Sequence, residues 1–373
     1  MEKYISLKNK NLLRIGIGTS GFGGYFSSRT ISQEDKKNFI NFFCQVYDYG
    51  IRFVDTAESY ASGETEKLIG CLPKNIKYNL FIASKFNLHN SNLKNIEQSL
   101  DKTLLKLNRD YVDLYMPHWP LPDMNSEELI QTLNNLKKKG KIKYIGLSNF
   151  ENCFKDFENY TDVKFYESEL NPYYTNAHKI LSSHLNEHQT FLVGYAPFKQ
   201  GIIFNKVSKV YTYFLNNYGD LSLTLAQFVL IWMLSLSDKI IVIPKTQNIK
   251  RLKEFVDIFN LNKDMIKNIK KNINSLSFDK IENISVKKII MKKDGDRPVY
   301  FNLKDALENK YLLHPNVLDI ANEIKKNNGN ITKPVRLLKD DKSNKYFCLD
   351  GRLKFWAWVY LYGNDCKIPS VVY

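Results

Sequence analysis

Four residues with acid–base side chains follow short apolar runs in the first third of the sequence, and their types suit carbonyl chemistry. Asp55 ends the run FVD, and Tyr60 lies five residues later in a small polar loop. Lys85 lies near the end of the run LFIASKF, and His118 follows the run YVDLYMP. A carboxylate can keep a buried lysine charged, and the ammonium then lowers the pKa of a neighbouring phenol. With His118 hydrogen-bonded to a carbonyl oxygen, Tyr60 could protonate that oxygen while hydride reaches the carbon.

The elements that would position these residues alternate between short apolar runs and longer amphipathic stretches. Helical patterns, such as those at 93–107 and 126–140, lie between the apolar runs. Eight such repeats predict a (β/α)8 TIM barrel, with a doubly wound open sheet as the structural alternative. Because the carboxyl ends of barrel strands meet at one rim, the four residues are predicted to lie together there. The predicted strands are 12–20, 51–57, 80–86, 111–119, 142–150, 163–170, 190–198 and 239–246.

Composition narrows the class of protein. The chain has 373 residues, of which 43% are hydrophobic and 25% are charged, as is typical of a globular protein. The net charge of +15 is spread along the chain, which favours a solvated lysine-rich surface over a nucleic-acid-binding face. No long apolar run or signal-peptide pattern occurs, so we expect no membrane span. Five scattered cysteines predict no disulfide framework and no metal site, and they fit a reducing, cytoplasmic location.

The pattern changes near residue 276, which predicts a barrel domain at 1–275 and a small α+β domain at 276–373. In the second domain a helix is predicted at 315–327 and a strand that ends at Asp350. A helix is predicted to start directly after Gly351. Backbone N–H groups at such a helix start, with basic residues nearby, are typical of an anion site.

The first 275 residues resemble the aldo-keto reductase family. The resemblance implies a TIM barrel that reduces a small aldehyde or ketone, with Asp55, Tyr60, Lys85 and His118 as the catalytic residues. The motifs that carry it follow the family's order and spacing: GIGTSGFGG (16–24), FVDTAESYASGETEKLIG (53–70), ASKF (83–86), DLYMPHWP (113–120), GKIKYIGLSNF (140–150), ELNPYY (169–174), YAPFKQG (195–201) and IPKTQNIKRLKEF (243–255).

This resemblance also implies a nicotinamide site. Ser148 and Asn149 match the residues that contact the carboxamide, and Tyr195 matches the aromatic residue that stacks on the nicotinamide. Glu167 stands where the family usually has a glutamine. An ionised acid accepts a hydrogen bond from the amide nitrogen but cannot donate one to the amide oxygen. The departure at Glu167 is therefore expected to affect cofactor binding.

The resemblance further implies a site for the adenosine 2′-phosphate, formed by Lys245, Thr246, Asn248 and Arg251. A lysine and an arginine suit a phosphate dianion, so NADPH is favoured over NADH. Phe255 stands where the family often has an asparagine beside the adenine, and this change could weaken binding.

The substrate pocket is predicted to be polar. Ser20 stands where the family often has a tryptophan. Together with His89, Trp119 and the Lys199–Gln200 pair, it suggests a polar or phosphorylated substrate.

Residues 280–373 resemble the ParB/sulfiredoxin-like domain. The resemblance implies that Asp350, Gly351, Arg352 and Lys354 hold nucleotide phosphates, with ATP or another nucleotide and Mg²⁺ as the ligand. The motif contains no cysteine, which argues against sulfiredoxin chemistry. A small-molecule kinase, a regulatory nucleotide-binding module and a degenerate interaction domain are the alternatives for this domain.

The sequence thus predicts an NADPH-dependent carbonyl reductase fused to a nucleotide-binding domain. One alternative is a regulatory or nucleic-acid-binding protein whose barrel senses redox state. Another is a kinase whose barrel only shapes the substrate.

Overall fold

The computed structural model describes most of the chain. Its contacts divide the chain into one unit formed by Met1–Phe204 and Tyr213–Leu276 and a second formed by Asn205–Thr212 and Ser277–Tyr373. The predicted domain bounds, 1–275 and 276–373, stay a prediction. The described residues are 1–7, 10–22, 31–88, 95–121, 124–206, 208–273, 278, 280–293, 298–313, 315–331, 334–340 and 343–373.

The first unit begins with a small antiparallel sheet and continues into a barrel. Strand β1 (Tyr4–Leu7) pairs with β2 (Lys10–Leu13). Among the described residues, eight parallel strands then follow in chain order and pair with their neighbours along the chain. These strands are β3 (Ile17–Gly18), β4 (Phe53–Asp55), β5 (Phe81–Phe86), β6 (Val112–Pro117), β7 (Ile142–Ser148), β8 (Val163–Glu169), β9 (Phe191–Tyr195) and β10 (Ile240–Ile243).

The last strand closes on the first. Val242 bridges to Ile15 in parallel, and the backbone nitrogen of Gly16 donates to the carbonyl of Val242 at 2.8 Å. A side chain at Gly16 would begin 2.9 Å from the carbonyl oxygen of Phe53, so this close approach of strands requires glycine. The predicted TIM barrel is confirmed, and the open sheet is excluded for this unit.

The barrel interior is filled in layers by alternate residues of the strands. Phe53, Ala83 and Met116 belong to one buried cluster. Two residues further along the chain from each of these stand Asp55, Lys85 and His118, the last directly after β6. Because side chains two residues apart point to the same face, the layer above the apolar core is polar. The full apolar cluster is Ile5, Leu12, Phe53, Phe81, Ala83, Leu114, Met116, Phe165, Phe191, Val193, Ile241 and Ile243.

The predicted first strand, 12–20, is wrong as a single element. Residues up to Leu13 pair with β1, while Ile17 and Gly18 belong to the barrel. Arg14 separates the two pieces. Its fully buried guanidinium donates to the carbonyls of Leu234 and Ile240, each at 2.8 Å. The apolar run therefore hides a change of sheet, which period-two patterning does not reveal.

The helices follow the strands as the amphipathic patterns predict. Helix α5 illustrates the local signals: the side chain of Asn125 accepts from the backbone nitrogen of Glu128 at 3.1 Å, and Gly140 follows the last turn with φ of 77°. No helix within the described ranges combines the length and the apolar character needed to cross a bilayer. The helices are α1 (Gln33–Asp48), α2 (Glu64–Gly70), α3 (Lys74–Lys77), α4 (Ile96–Leu107), α5 (Ser126–Lys138), α6 (Asn176–Glu187), α7 (Lys209–Tyr218), α8 (Leu225–Leu236), α9 (Ile249–Asp257), α10 (Lys263–Ile273), α11 (Leu303–Leu307), α12 (Val317–Lys326) and α13 (Arg352–Tyr362).

The second unit has its own mixed sheet and its own core. Helices α12 and α13 contribute apolar residues such as Ile320 and Phe355 to that core, which also contains Leu337 of the sheet. In the part of the chain that the structure describes, the strand order is β11-β15-β13-β14-β12. These strands are β11 (Ile281–Ser285), β12 (Ile289–Met291), β13 (Val335–Lys339), β14 (Tyr346–Asp350) and β15 (Lys367–Val372).

Candidate active site

A buried lysine is the centre of the polar layer at the carboxyl rim of the barrel. Lys85 is 0% exposed, and its ammonium forms an ion pair with Asp55, which is 3% exposed. The ammonium nitrogen also lies 3.0 Å from the carbonyl oxygen of Thr56 and 3.4 Å from the hydroxyl oxygen of Tyr60. A fourth oxygen, Oε1 of Glu167, lies 3.2 Å away. Lys85 thus links the carboxylate of Asp55 to the phenol of Tyr60, as the sequence predicts.

Burial and the charge of neighbouring groups have opposite effects on the pKa values of these side chains. Burial alone would lower the pKa of Lys85, but the charge of Asp55, and that of Glu167 when it is ionised, outweigh this effect, so the pKa is raised and the ammonium stays charged. Burial raises the pKa of Asp55, and Lys85 offsets only part of that effect. Burial also raises the pKa of Tyr60 above that of a free phenol. The charge of Lys85 lowers the pKa of Tyr60 as expected, but its effect is smaller than that of burial.

His118 lies beside Tyr60 and is neutral. Their rings meet edge to face with centroids 5.8 Å apart, and Nδ1 of His118 lies 3.3 Å from the hydroxyl oxygen of Ser59. Burial, helped by the charge of Lys85, lowers the pKa of His118 to about 3. The imidazole can therefore donate a hydrogen bond at neutral pH but does not carry a second proton.

The residues predicted to meet the nicotinamide lie together at the ends of β7, β8 and β9. Asn149 has φ of 65°, a left-handed conformation that asparagine tolerates. Its side-chain nitrogen donates to the carbonyl of His118 at 3.0 Å and to the hydroxyl of Ser148 at 3.1 Å. The hydroxyl of Tyr195 donates to Oδ1 of Asn149 at 2.7 Å. These bonds fix a polar platform next to the Lys85 cluster.

The residues predicted to meet the 2′-phosphate follow β10. Thr246 is buried, and its hydroxyl accepts from the backbone nitrogen of Asn248 at 3.0 Å. Asn248 caps α9, because its side-chain oxygen accepts from the backbone nitrogens of Lys250 and Arg251 at 2.9 and 3.4 Å. Lys245 and Arg251 are exposed. The loop thus presents two cationic side chains to solvent beside a helix start.

The structure differs from the predicted substrate pocket at Lys199. Lys199 is buried, and its ammonium pairs with Glu169 at 2.9 Å. This ion pair binds the loop after β9 to the end of β8, so Lys199 is an internal contact in the structure and not an open cation for a substrate. Ser20 is exposed, and Trp119 is half exposed next to His118. His89 lies outside the described residues.

The adenine-side position is apolar. Phe255 is buried and packs against Phe198, with ring centroids 5.3 Å apart. The aromatic side chain at this position therefore has a packing role.

In the second unit the predicted strand–Asp–Gly–helix geometry is present. Gly351 has φ of 83° between β14 and α13, a conformation that favours glycine. The carboxylate of Asp350 accepts from the backbone nitrogen of Gly351 at 2.8 Å and lies 3.3 Å from the guanidinium of Arg336. An acid therefore already uses one of the N–H groups predicted to hold phosphate.

Sequence reasoning missed the contact between Glu167 and Lys85. A signal was available, because Phe165 and Glu167 are two residues apart on β8 and Phe165 belongs to the barrel core. Glu167 must then stand in the polar layer, at the height of Lys85.

Fold and site together define a parallel β/α barrel with a lysine-centred acid–base cluster at its carboxyl rim. Comparison with known proteins identifies the family: the family model described as "Aldo/keto reductase family" matches residues 14–274. Methylglyoxal reductase DkgA of Escherichia coli strain K12 is 30% identical over 248 residues, which cover 64% of this chain and 86% of DkgA. The chain belongs to the aldo/keto reductase family, and the prediction of an NAD(P)H-dependent oxidoreductase of this type is confirmed.

Other relatives match over different lengths. Aldo-keto reductase YhdN of Bacillus subtilis strain 168 is 33% identical over 147 residues, which cover 37% of this chain but only 43% of YhdN. The crystal structure of a thermostable aldo-keto reductase, solved with the inhibitor epalrestat, superposes with a TM-score of 0.62 and 26% identity. The matched region covers 72% of this chain and 98% of the chain in that crystal structure. The family model ends at residue 274, so the predicted ParB/sulfiredoxin-like resemblance of the second unit stays a prediction.

Proposed function

We propose that the barrel catalyses the NADPH-dependent reduction of a small aldehyde or ketone. The observation that carries the proposal is the buried chain of contacts from Asp55 through Lys85 to Tyr60, at the rim where barrel enzymes bind their substrates. The phenol is the group in this chain of contacts that can reach a substrate and give up a proton.

Tyr60 is the proposed proton donor. Its raised pKa means that the phenol holds its proton across the physiological range and is ready in the reductive direction. When hydride reaches the carbonyl carbon, the oxygen becomes an alkoxide, which is a stronger base than a phenolate. The proton therefore moves from Tyr60 to that oxygen, and the nearby ammonium of Lys85 stabilises the phenolate that remains.

His118 is the proposed second contact to the carbonyl oxygen. Because it is neutral, the imidazole donates a hydrogen bond through Nε2 without competing with Tyr60 as an acid. The 3.3 Å contact of Nδ1 with Ser59 helps to orient the ring. Asp55 keeps Lys85 charged and in place, and it acts through Lys85 and not on the substrate.

NADPH, when bound, supplies the hydride. The residues present fit it, since the hydrogen-bonded platform of Ser148, Asn149 and Tyr195 offers polar groups and an aromatic ring for the nicotinamide end. At the other end, the exposed Lys245 and Arg251 offer two cations for the 2′-phosphate. This charge is the basis for proposing NADPH over NADH.

The substrate class is proposed from the names of relatives. Relatives are named methylglyoxal reductase and glyoxal reductase, so small dicarbonyls are the first compounds to test. The pairing of Lys199 with Glu169 argues against a substrate phosphate bound by that lysine.

The test is a pair of fluorescence titrations of the purified chain with NADPH and NADH, followed by cofactor-oxidation assays with methylglyoxal, glyoxal and simple ketones. We expect tighter binding of NADPH and turnover of at least one carbonyl compound. Binding of neither cofactor would refute the proposal.

For the second unit we propose a weak anion site at the start of α13, with ATP and Mg²⁺ as the ligand to test. The support is the left-handed Gly351 between strand and helix, and the proximity of Arg336 to Asp350. Phosphate must displace the carboxylate of Asp350 from the nitrogen of Gly351, so Asp350→Asn should strengthen binding. A titration with MgATP, followed through the tryptophan fluorescence of this unit, tests this, and no binding by either form would refute it.

A further inference from the structure

The ammonium of Lys85 has more neighbours than it can satisfy. Four oxygens lie within 3.4 Å of its nitrogen, from Asp55, Thr56, Tyr60 and Glu167. An ammonium has only three N–H groups. The count leaves one oxygen over, and the phenol of Tyr60, which has a proton of its own, can be that one.

The charge balance indicates an extra proton on one of the two carboxyl groups. Lys85 contacts both Asp55 and Glu167, and these two carboxyl groups are only 3% and 2% exposed. Two ionised carboxylates and one ammonium would leave a net negative charge in a site closed to water, which is costly. A proton on one carboxyl group removes that charge.

Glu167 is the better place for the proton. Asp55 makes the closer contact with Lys85, while Oε2 of Glu167 is buried and has no hydrogen-bond partner among the described residues. Burial first, and then the charge of Asp55, raise the pKa of Glu167 to about 8. The titratable groups that face Glu167 are Asp55 on β4, Lys85 on β5 and Tyr60 on the loop after β4. Its partners in strand pairing, Ser148 and Val193, do not titrate in this range.

We propose that Glu167 is a protonated, neutral acid in the resting enzyme, and that its ionisation at alkaline pH weakens the binding of NADPH relative to NADP⁺. This inference rests on the proposed function. A neutral acid can donate one hydrogen bond and accept another, as a glutamine side chain does, whereas a carboxylate can only accept. The ionised form would instead favour the positively charged ring of NADP⁺ by direct attraction.

The same proton affects the neighbouring phenol. An ionised Glu167 adds negative charge near Tyr60 and raises the pKa of the phenol further. The neutral form therefore makes Tyr60 a better proton donor. Glu167 is in this sense a positioning and charge-setting residue for reduction, and its ionisation is expected to slow reduction at alkaline pH.

The main test measures the affinities for NADPH and NADP⁺ in parallel from about pH 6.5 to about pH 9.5, a range that spans the titration of Glu167. The ratio of the two dissociation constants cancels pH effects that act on both cofactors equally. We expect the ratio of Kd for NADPH to Kd for NADP⁺ to rise by about tenfold across this range in the wild type. In Glu167→Gln the ratio should stay flat.

Glu66→Gln is the matched control. Glu66 is also fully buried, its pKa is also raised by burial, and its carboxylate accepts from Ser84 at 2.8 Å outside the Lys85 cluster. This variant should keep the rise of the wild type. A flat ratio in the wild type, or a rise that persists in Glu167→Gln, would overturn the inference.

A second measurement does not depend on the cofactor. Infrared difference spectra of the cofactor-free protein should show a carboxylic acid C=O band at neutral pH that disappears in Glu167→Gln and persists in Glu66→Gln. If Glu167→Gln does not fold, the wild-type affinity ratio still decides the question. If NADPH does not bind, the proposed function fails, and the infrared band alone decides whether Glu167 carries the proton; its absence overturns the inference.

Discussion

Replacement of Lys85 by methionine is the sharpest structural perturbation of the site, because it removes the cation that contacts both Asp55 and Glu167. The attraction between Lys85 and the ionised carboxylate of Asp55 is at least about 4 kcal/mol for an effective dielectric constant of about 20, before the cost of burial is subtracted. Removal of one partner from a buried ion pair typically costs about 3–5 kcal/mol. We expect Lys85→Met to lower the free energy of unfolding of the barrel by that amount at neutral pH.

The geometry makes Asp55→Asn a milder change. In that variant Lys85 keeps Glu167 as a counter-charge, since Glu167 can release its proton and become a carboxylate. We expect a loss of about 1.5–3 kcal/mol, typical of a lost hydrogen bond to a charged group. The double variant Asp55→Asn/Lys85→Met leaves one neutral acid and should be more stable than Lys85→Met alone.

Hydrogen exchange measured by mass spectrometry is the suitable assay, because it reports on the barrel separately from the second unit. Peptides that cover β4, β5 and β8 give the free energy of opening for the strands that carry Asp55, Lys85 and Glu167. If Asp55→Asn costs as much as Lys85→Met, Glu167 does not act as a second counter-charge and the account of the cluster is wrong.

Three further predictions concern cofactor choice and pH. Arg251→Ala should weaken NADPH by about tenfold and leave NADH unchanged, as paired fluorescence titrations would show; an equal change for both cofactors would remove Arg251 from the phosphate site. The pKa of His118 is lowered to about 3, so the imidazole does not change its protonation state between about pH 5 and 8. The rate of reduction should therefore show no pH dependence in this range that is lost in His118→Asn. The pKa of Glu167 is raised from 4.5 to about 8, so its contribution to stability is fully present below pH 4.5 and is lost as the pH rises towards 8. The thermal midpoint of the wild type should therefore fall relative to that of Glu167→Gln as the pH rises from 4.5 to about 8. Midpoints that change in parallel with pH in the two proteins would contradict this prediction.

Much of the rim could be predicted from the sequence, because strand periodicity and position decide which side chains face the barrel interior. Phe53 and Asp55 share one face of β4, and Ala83 and Lys85 share one face of β5. A polar residue two positions after a core residue, at the end of an apolar run, is therefore placed in the layer above the core. This reasoning needs no knowledge of which strands are neighbours.

Contacts across the barrel could not be predicted in this way. Lys85 and Glu167 are on strands that are not adjacent, and their meeting depends on the tilt and stagger of the closed barrel. Lys199 and Glu169 pair because a loop folds back on the end of β8, which composition does not reveal. The same limit explains the predicted strand 12–20, where buried Arg14 marks a change of sheet inside one apolar run.

The central claim is that Tyr60 supplies the proton in a carbonyl reduction, and Tyr60→Phe tests it most directly. The variant removes one oxygen and keeps the ring that packs against His118, so NADPH affinity should stay within about twofold of the wild type. Single-turnover reduction of a carbonyl substrate that the wild type accepts should slow by about 10²–10⁴-fold, the usual contribution of general acid catalysis. Unchanged turnover with unchanged NADPH binding would contradict the account.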